Sequence, residues 1–119
     1  MLLAVVTETR EGEARVAMVP ELVPKLTDLG YDVVVEPGAG LRAMHPDSEY
    51  VDAGASAESL ALGDVDVMLS VQPLAPSQVR QLKPGAATFS FLPTAQELDL
   101  VTELRDQQVT AFAMELVPR

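Results

Sequence analysis

The stretch "MLLAVVTETREGEARVAMVP", residues 1–20, decides the fold. Its run Leu2 to Val6 is apolar at every position, which suits a strand buried on both faces in a parallel sheet rather than one with a wet side. Directly after it, three acids (Glu8, Glu11, Glu13) and two arginines (Arg10, Arg15) crowd into eight positions before the chain turns apolar again and meets Pro20. In a chain with only 8 Lys and Arg against 18 Asp and Glu, two cations in one short loop beyond a strand call for an explanation.

Outward from this strand, short β-branched runs alternate with segments of helical period. Leu22, Val23, Leu26 and Leu29 fall on one helical face, with Pro20 where a helix can begin and Gly30 where one can end. Pro24 would cost an interior hydrogen bond, so the first turn is expected to be irregular and the regular helix to start later. Asp32 to Val35 reads as the second strand, and "EPGAGLRAMHPDSEY", residues 36–50, as an exposed loop leading to a helix from Asp47 to Ala53 that Gly54 stops. A small helical turn is expected near Ser56 to Leu60, and a third strand over Val65 to Val71. Pro76 can open the next helix, with Val79 and Leu82 facing inward, before a fourth strand at Ala87 to Leu92. Thr94 and Glu97 have capping-box spacing for a helix that buries Leu98, Val101 and Leu104. Val109 to Met114 is the fifth strand. The expected class is α/β: one domain over 1–119 with an open, mainly parallel five-stranded sheet and helices on both faces, flavodoxin-like or half-Rossmann. Ligands of such sheets gather beyond the carboxyl ends of the strands, which directs attention to Thr7 to Arg15, Ser70 to Pro73 and Pro93 to Gln96.

A net charge of -10 repels phosphate backbones and anionic headgroups, so neither nucleic acid nor direct membrane insertion is expected. No apolar stretch approaches the roughly 20 residues that span a bilayer, and the opening has no basic region or cleavage site of a secretory signal. A cytoplasmic location is the expectation. The chain has no cysteine and a single histidine, His45, which removes thiolate chemistry and leaves no metal site to expect.

Few residues stand out for chemistry. Arg10 and Arg15 can grip a carboxylate or phosphate in bidentate fashion, or they can pair with Glu8, Glu11 and Glu13. "EPGAG" has neither the spacing nor the following helix of a phosphate cradle and reads as a turn. His45 has no nucleophile beside it, and no pair of carboxylates is singled out for acid and base work, so no catalytic residue is assigned. Gln96, in the first turn after the fourth strand, can both donate to and accept from a ligand, or simply face solvent.

"TETREGEARVAMVPELVPKLTDLGYDVVVEPGAG" (7–40), "DSEYVDAGA" (47–55), "LKPGAATFSFLPTAQELDLV" (82–101) and "VTAFAMELVPR" (109–119) resemble, in order, the opening of the alanine dehydrogenase and nicotinamide nucleotide transhydrogenase family. The resemblance implies an N-terminal lobe that faces a separate Rossmann domain across a cleft. It places Arg15 on the arginine that holds the substrate carboxylate in alanine dehydrogenases. Ser70, in "LSVQP", stands where those enzymes carry a lysine, and "SFLPTAQ" has no histidine where they place one. "SFLPTAQEL" instead resembles the transhydrogenase pattern, and the closing "VPR" adds Arg119. The resemblance therefore implies the N-terminal lobe of a transhydrogenase alpha subunit, with Arg15, Gln96 and Arg119 as cofactor-binding residues on one wall of an NAD(H) cleft.

In the complete enzyme, hydride would pass between NAD(H) and NADP(H), coupled to proton translocation. The implied partners are the Rossmann NAD-binding domain of the same enzyme and a membrane-bound subunit that would hold the lobe peripherally, with a second copy of the chain as a further candidate. No GxGxxG occurs in these 119 residues, so the Rossmann domain is expected elsewhere and tight NAD(H) binding is not expected here. A lobe of a divergent alanine dehydrogenase, or a stand-alone binding or assembly module without turnover, are the alternatives.

Overall fold

The computed structural model describes residues 1–10, 12–59, 61–90 and 98–113. Leu2–Val5 forms β1. Because side chains alternate across a strand, Leu3 and Val5 enter one apolar core while Ala4, with Val6 just past the strand, enters another. All four are at most 4 % exposed, which explains why the run shows no polar alternation.

Five further strands follow: β2 (Asp32–Val35), β3 (Ser56–Ala57), β4 (Val67–Leu69), β5 (Ala87–Ser90) and β6 (Thr110–Ala113). They lie in the order β3-β2-β1-β4-β5-β6, and every neighbouring pair is parallel. Helices α1 (Val23–Asp28) and α2 (Asp47–Ala53) supply Val23 and Tyr50 to the core on the Leu3 and Val5 face. On the opposite face, α3 (Pro76–Gln81) supplies Val79, and α4 (Leu98–Asp106) supplies Leu100 and Leu104. The sheet is thus covered on both sides, as the continuous apolar run of β1 requires.

The α/β class, the parallel sheet and the two helical layers agree with the sequence reading, but the described residues form six strands, not five. The added strand is β3, where a helical turn is expected from the sequence. Gly54 ends α2 with φ 112°, and the N–H groups of Gly54 and Ala55 close onto the carbonyls of Val51 and Tyr50. The chain leaves this cap alongside the open edge of β2, where Ser56 and Ala57 pair with Val34 and Val35. The unsatisfied backbone groups of that edge attract a strand more strongly than two residues of local propensity favour a helix.

Pro24 behaves as expected: Pro20–Leu22 is a 3-10 turn and the regular helix begins only at Val23, so the proline sits in the first turn, where a missing N–H costs nothing. The expected inward face is only half right. Val23 is buried and Leu26 packs against the core, but Leu22 is 44 % exposed and Leu29 74 % exposed. The tighter 3-10 turn shifts the phase of Leu22 relative to the helix, and α1 ends one residue before Leu29.

α2 spans the expected residues, and Val79 and Leu82 are buried as expected. β4 is shorter than the expected Val65 to Val71. Leu92, Met114, the Thr94 and Glu97 capping box and Leu60 lie outside the described residues. Gly40 has a packing reason of its own: a Cβ there would lie 2.7 Å from the His45 carbonyl oxygen and 2.7 Å from the Tyr50 hydroxyl.

Candidate functional site

Strands β2 and β3 lie on one side of β1, and β4, β5 and β6 on the other. The order of the sheet therefore switches between β1 and β4, and in open α/β sheets the crevice outside the carboxyl ends at this point is where ligands bind. The loop leaving β1 is tied across that crevice by its acids. Glu8 accepts the backbone N–H of Val71 at 2.9 Å and that of Gln72 at 2.8 Å, so its carboxylate holds the loop after β4. Arg10 donates from Nη2 to the Pro73 carbonyl at 3.4 Å, a longer contact in the same direction.

Gly12, at φ 82°, turns the chain so that the Glu13 N–H donates to the Arg10 carbonyl and the Glu13 side chain points inward. Glu13 is 8 % exposed. Its Oε2 accepts the Arg15 backbone N–H and the Arg15 Nε, both at 2.9 Å. Its Oε1 accepts Arg15 Nη2 at 2.8 Å and Gln72 Nε2 at 2.7 Å. The Arg15 side-chain hydrogen bonds, then that from Gln72, then the Arg15 backbone N–H lower the Glu13 pKa from an ordinary 4.5 to about 2. The hydrogen bonds to Glu13 and the charge of that carboxylate raise the pKa of Arg15. Arg42 donates from Nη1 to the Glu13 carbonyl at 3.3 Å, so the segment is gripped from both the β2 and the β4 side.

Arg15 is held by Glu13 and nonetheless remains 62 % exposed in its side chain. With Val16, Ala17, Leu69, Ser70, Val71 and Phe89 it lines an open pocket of about 440 Å³. The walls are mostly apolar. Ser70 is 7 % exposed and its Oγ donates to the Gln72 carbonyl at 2.8 Å, so the hydroxyl is engaged within its own loop.

Of the three residues expected to contact a cofactor, the structure places Arg15 at this pocket; Gln96 and Arg119 lie outside the described residues. The two readings of the loop arginines meet in Arg15, which is paired with an acid and also lines the pocket. Glu8 spends its hydrogen bonds on backbone while its charge still acts on Arg15, and Glu11 lies outside the described residues. The sequence reading assigns nothing to Gln72, whose partner Glu13 is 59 positions away, a link that no local spacing signals.

The other two stretches singled out by the sequence have local partners. In "EPGAG", Gly38 adopts φ 81° and its N–H donates to Asp47 Oδ1 at 2.9 Å, a turn whose amide is already used. His45 lies 3.0 Å from Glu49 Oε2 and meets Tyr50 edge-on. Among the described residues no group of three or more His, Asp or Glu could hold a metal ion, and no helix is long and apolar enough to cross a membrane.

The family model described as alanine dehydrogenase/PNT, N-terminal domain, matches residues 4–119. The chain is 35 % identical to NAD(P) transhydrogenase subunit alpha of Haemophilus influenzae, an alignment that covers 100 % of this chain and 23 % of that protein. It is 33 % identical to alanine dehydrogenase 1 of Staphylococcus aureus, over 98 % of this chain and 32 % of the relative. The crystal structure of transhydrogenase from Sinorhizobium meliloti superposes with a TM-score of 0.95 at 35 % identity, covering 100 % of this chain and 36 % of that one. The chain thus spans at most 36 % of the length of these three relatives. A match over nearly every residue, with the same fold carried to a TM-score of 0.95, places this chain in the alanine dehydrogenase/PNT N-terminal domain family.

Proposed function

We propose that this domain is the N-terminal lobe of an NAD(P) transhydrogenase alpha subunit and forms one wall of an NAD(H) cleft. The observation that carries the reading is Arg15, fixed by Glu13 at the mouth of an apolar pocket at the switch point of the sheet. Leu69, Val71 and Phe89 offer apolar surface that suits the face of a nicotinamide ring, and Arg15 offers a donor at its rim. The pyrophosphate and riboses have no matching cradle in these residues, since the sequence has no glycine-rich phosphate loop. These belong to a Rossmann domain of the same enzyme.

When bound, the nicotinamide supplies the hydride chemistry. The residues of this chain orient the ring and keep water from one side of it. Gln96 and Arg119 complete the cofactor-binding set. In the whole enzyme, hydride passes between NAD(H) and NADP(H), coupled to proton translocation through a membrane-bound partner that holds the lobe at the cytoplasmic face. Ser70 favours this branch over alanine dehydrogenase: its hydroxyl, engaged with the Gln72 carbonyl, brings no cation to an amino acid substrate. Arg15→Ala in the complete enzyme is expected to lower nucleotide-dependent turnover strongly, with a modest fall in Tm from loss of the Glu13 pair. Normal turnover with a large fall in Tm would make the arginine structural, and robust reduction of NAD by L-alanine would move the protein to the other branch.

A further inference from the structure

Among the described residues of 6–19 none belongs to a helix or strand, so side chains must hold this long segment in place. Its part nearer β1 is tied by Glu8 to the loop after β4, and by Glu13 to Arg15 and Gln72. Its far part is tied at Met18, whose carbonyl accepts the hydroxyl of Tyr50, on α2, at 2.7 Å. Val16 and Ala17, which line the pocket, lie between these two anchors. Tyr50 is fully buried, and Gly40 makes room for its phenol: a Cβ there would lie 2.7 Å from the hydroxyl and 2.8 Å from Cε2. Burial, and then the charges of Glu21, Glu49 and Asp47, push the phenol above its ordinary pKa, so it keeps the proton that it donates.

We infer that Tyr50 is a positioning residue: through the Met18 carbonyl it sets where Val16 and Ala17 stand against the ring of a bound nicotinamide. The inference rests on the proposed cleft and adds to it a residue outside the pocket. A hydrogen bond weakens steeply once its angle closes, so this one fixes the backbone more narrowly than apolar packing alone. Among the described residues no other donor reaches that carbonyl. Deprived of the hydroxyl, it becomes a buried acceptor without a partner, an arrangement costly enough that the segment shifts to find one. The shift passes along the backbone to Ala17 and Val16, one and two residues upstream, while the Glu13 and Gln72 tie holds the other side of the wall.

Tyr50→Phe removes the hydroxyl and keeps the ring in the core, so it tests the hydrogen bond apart from the packing. In the 119-residue chain, the amide resonances of Val16 and Ala17 are expected to move while those of Val71 and Gln72, tied by Glu8, stay. In the complete enzyme, kcat is expected to fall about tenfold, within the range of about a hundredfold that a misplacement of about 1 Å can cost. The KM for NADH is expected to stay within about twofold, because the pyrophosphate and riboses are held outside this lobe. Val65→Ala, a cavity variant in the opposite core, serves as the control for lost stability, and its kcat is expected to be normal at temperatures where the domain is folded. Unmoved resonances at Val16 and Ala17 would overturn the placement. A normal kcat in Tyr50→Phe despite moved resonances would overturn the positioning role and leave the cleft reading to the Arg15→Ala test. An equal fall of kcat in Val65→Ala would reduce the effect of Tyr50 to one of stability and overturn the inference too. Normal turnover of Arg15→Ala would instead overturn the cleft reading itself, independently of what the Val16 and Ala17 resonances say of Tyr50.

Discussion

With its carboxylate accepting from Arg15 and Gln72 together, Glu13 stays ionised far into acid, its pKa held at about 2 against an ordinary 4.5. A folded-state pKa below the unfolded one means that the ionised group stabilises the fold fully above the ordinary value. That contribution fades as pH falls from about 4.5 toward about 2. Melting curves of the native chain and Glu13→Gln across this range are therefore expected to lie apart near neutrality and to converge in acid. A gap that stays constant would mean that the charge of Glu13 contributes nothing. At this scale the sequence shows one half of the site. Arg10 and Arg15 stand out together because cations beyond a buried strand are scarce in so acidic a chain, and the family resemblance alone singles out Arg15. The grip of Glu13 and Gln72 on it is not legible, because the folding of the sheet, and no local pattern, brings the loops after β1 and β4 together.

The two loops that frame the crevice act as one element because Glu8 spans them. Its two oxygens accept two backbone N–H groups that would otherwise lack an acceptor from their own strand, at 2.8 and 2.9 Å. Hydrogen bonds to a charged group are worth about 1.5–3 kcal/mol each, less where water can substitute. Glu8→Ala is expected to destabilise the domain by about 1–3 kcal/mol and to speed hydrogen exchange at Val71 and Gln72 ahead of the rest of the sheet. Unchanged protection at those amides would show that the loops are fixed by other contacts. Elements with long, uniform runs are legible in the sequence: β1 from its unbroken apolar stretch, α2 from its glycine stop. β3 is too short for any period to be read, and the phase of α1 is broken by a 3-10 turn at the point where a helical wheel would assume continuity.

As a whole, the molecule has two cores that share one sheet, with β1 feeding alternate side chains to each. Neither core can be lost without exposing the back of the other, so unfolding is expected as a single transition. The whole also sets the limit on ligand affinity. A dinucleotide held without pyrophosphate and ribose contacts forgoes several charge-assisted hydrogen bonds of about 1.5–3 kcal/mol each, and 1.4 kcal/mol is about tenfold. Calorimetric titration of the 119-residue chain with NADH is expected to give a Kd weaker than about 1 mM; micromolar binding would place a complete nucleotide site in this lobe. The central position of β1 carries a further consequence during synthesis. Its partner on one side is β4, and the Leu2 N–H waits for Asp66, 64 positions later. At about 5–20 residues per second on the ribosome, that wait lasts about 3–13 s. Throughout it, a strand that is greasy on both faces emerges with one flank unzipped, which makes the interval before β4 appears the window in which chaperones and translation speed decide the yield of folded protein.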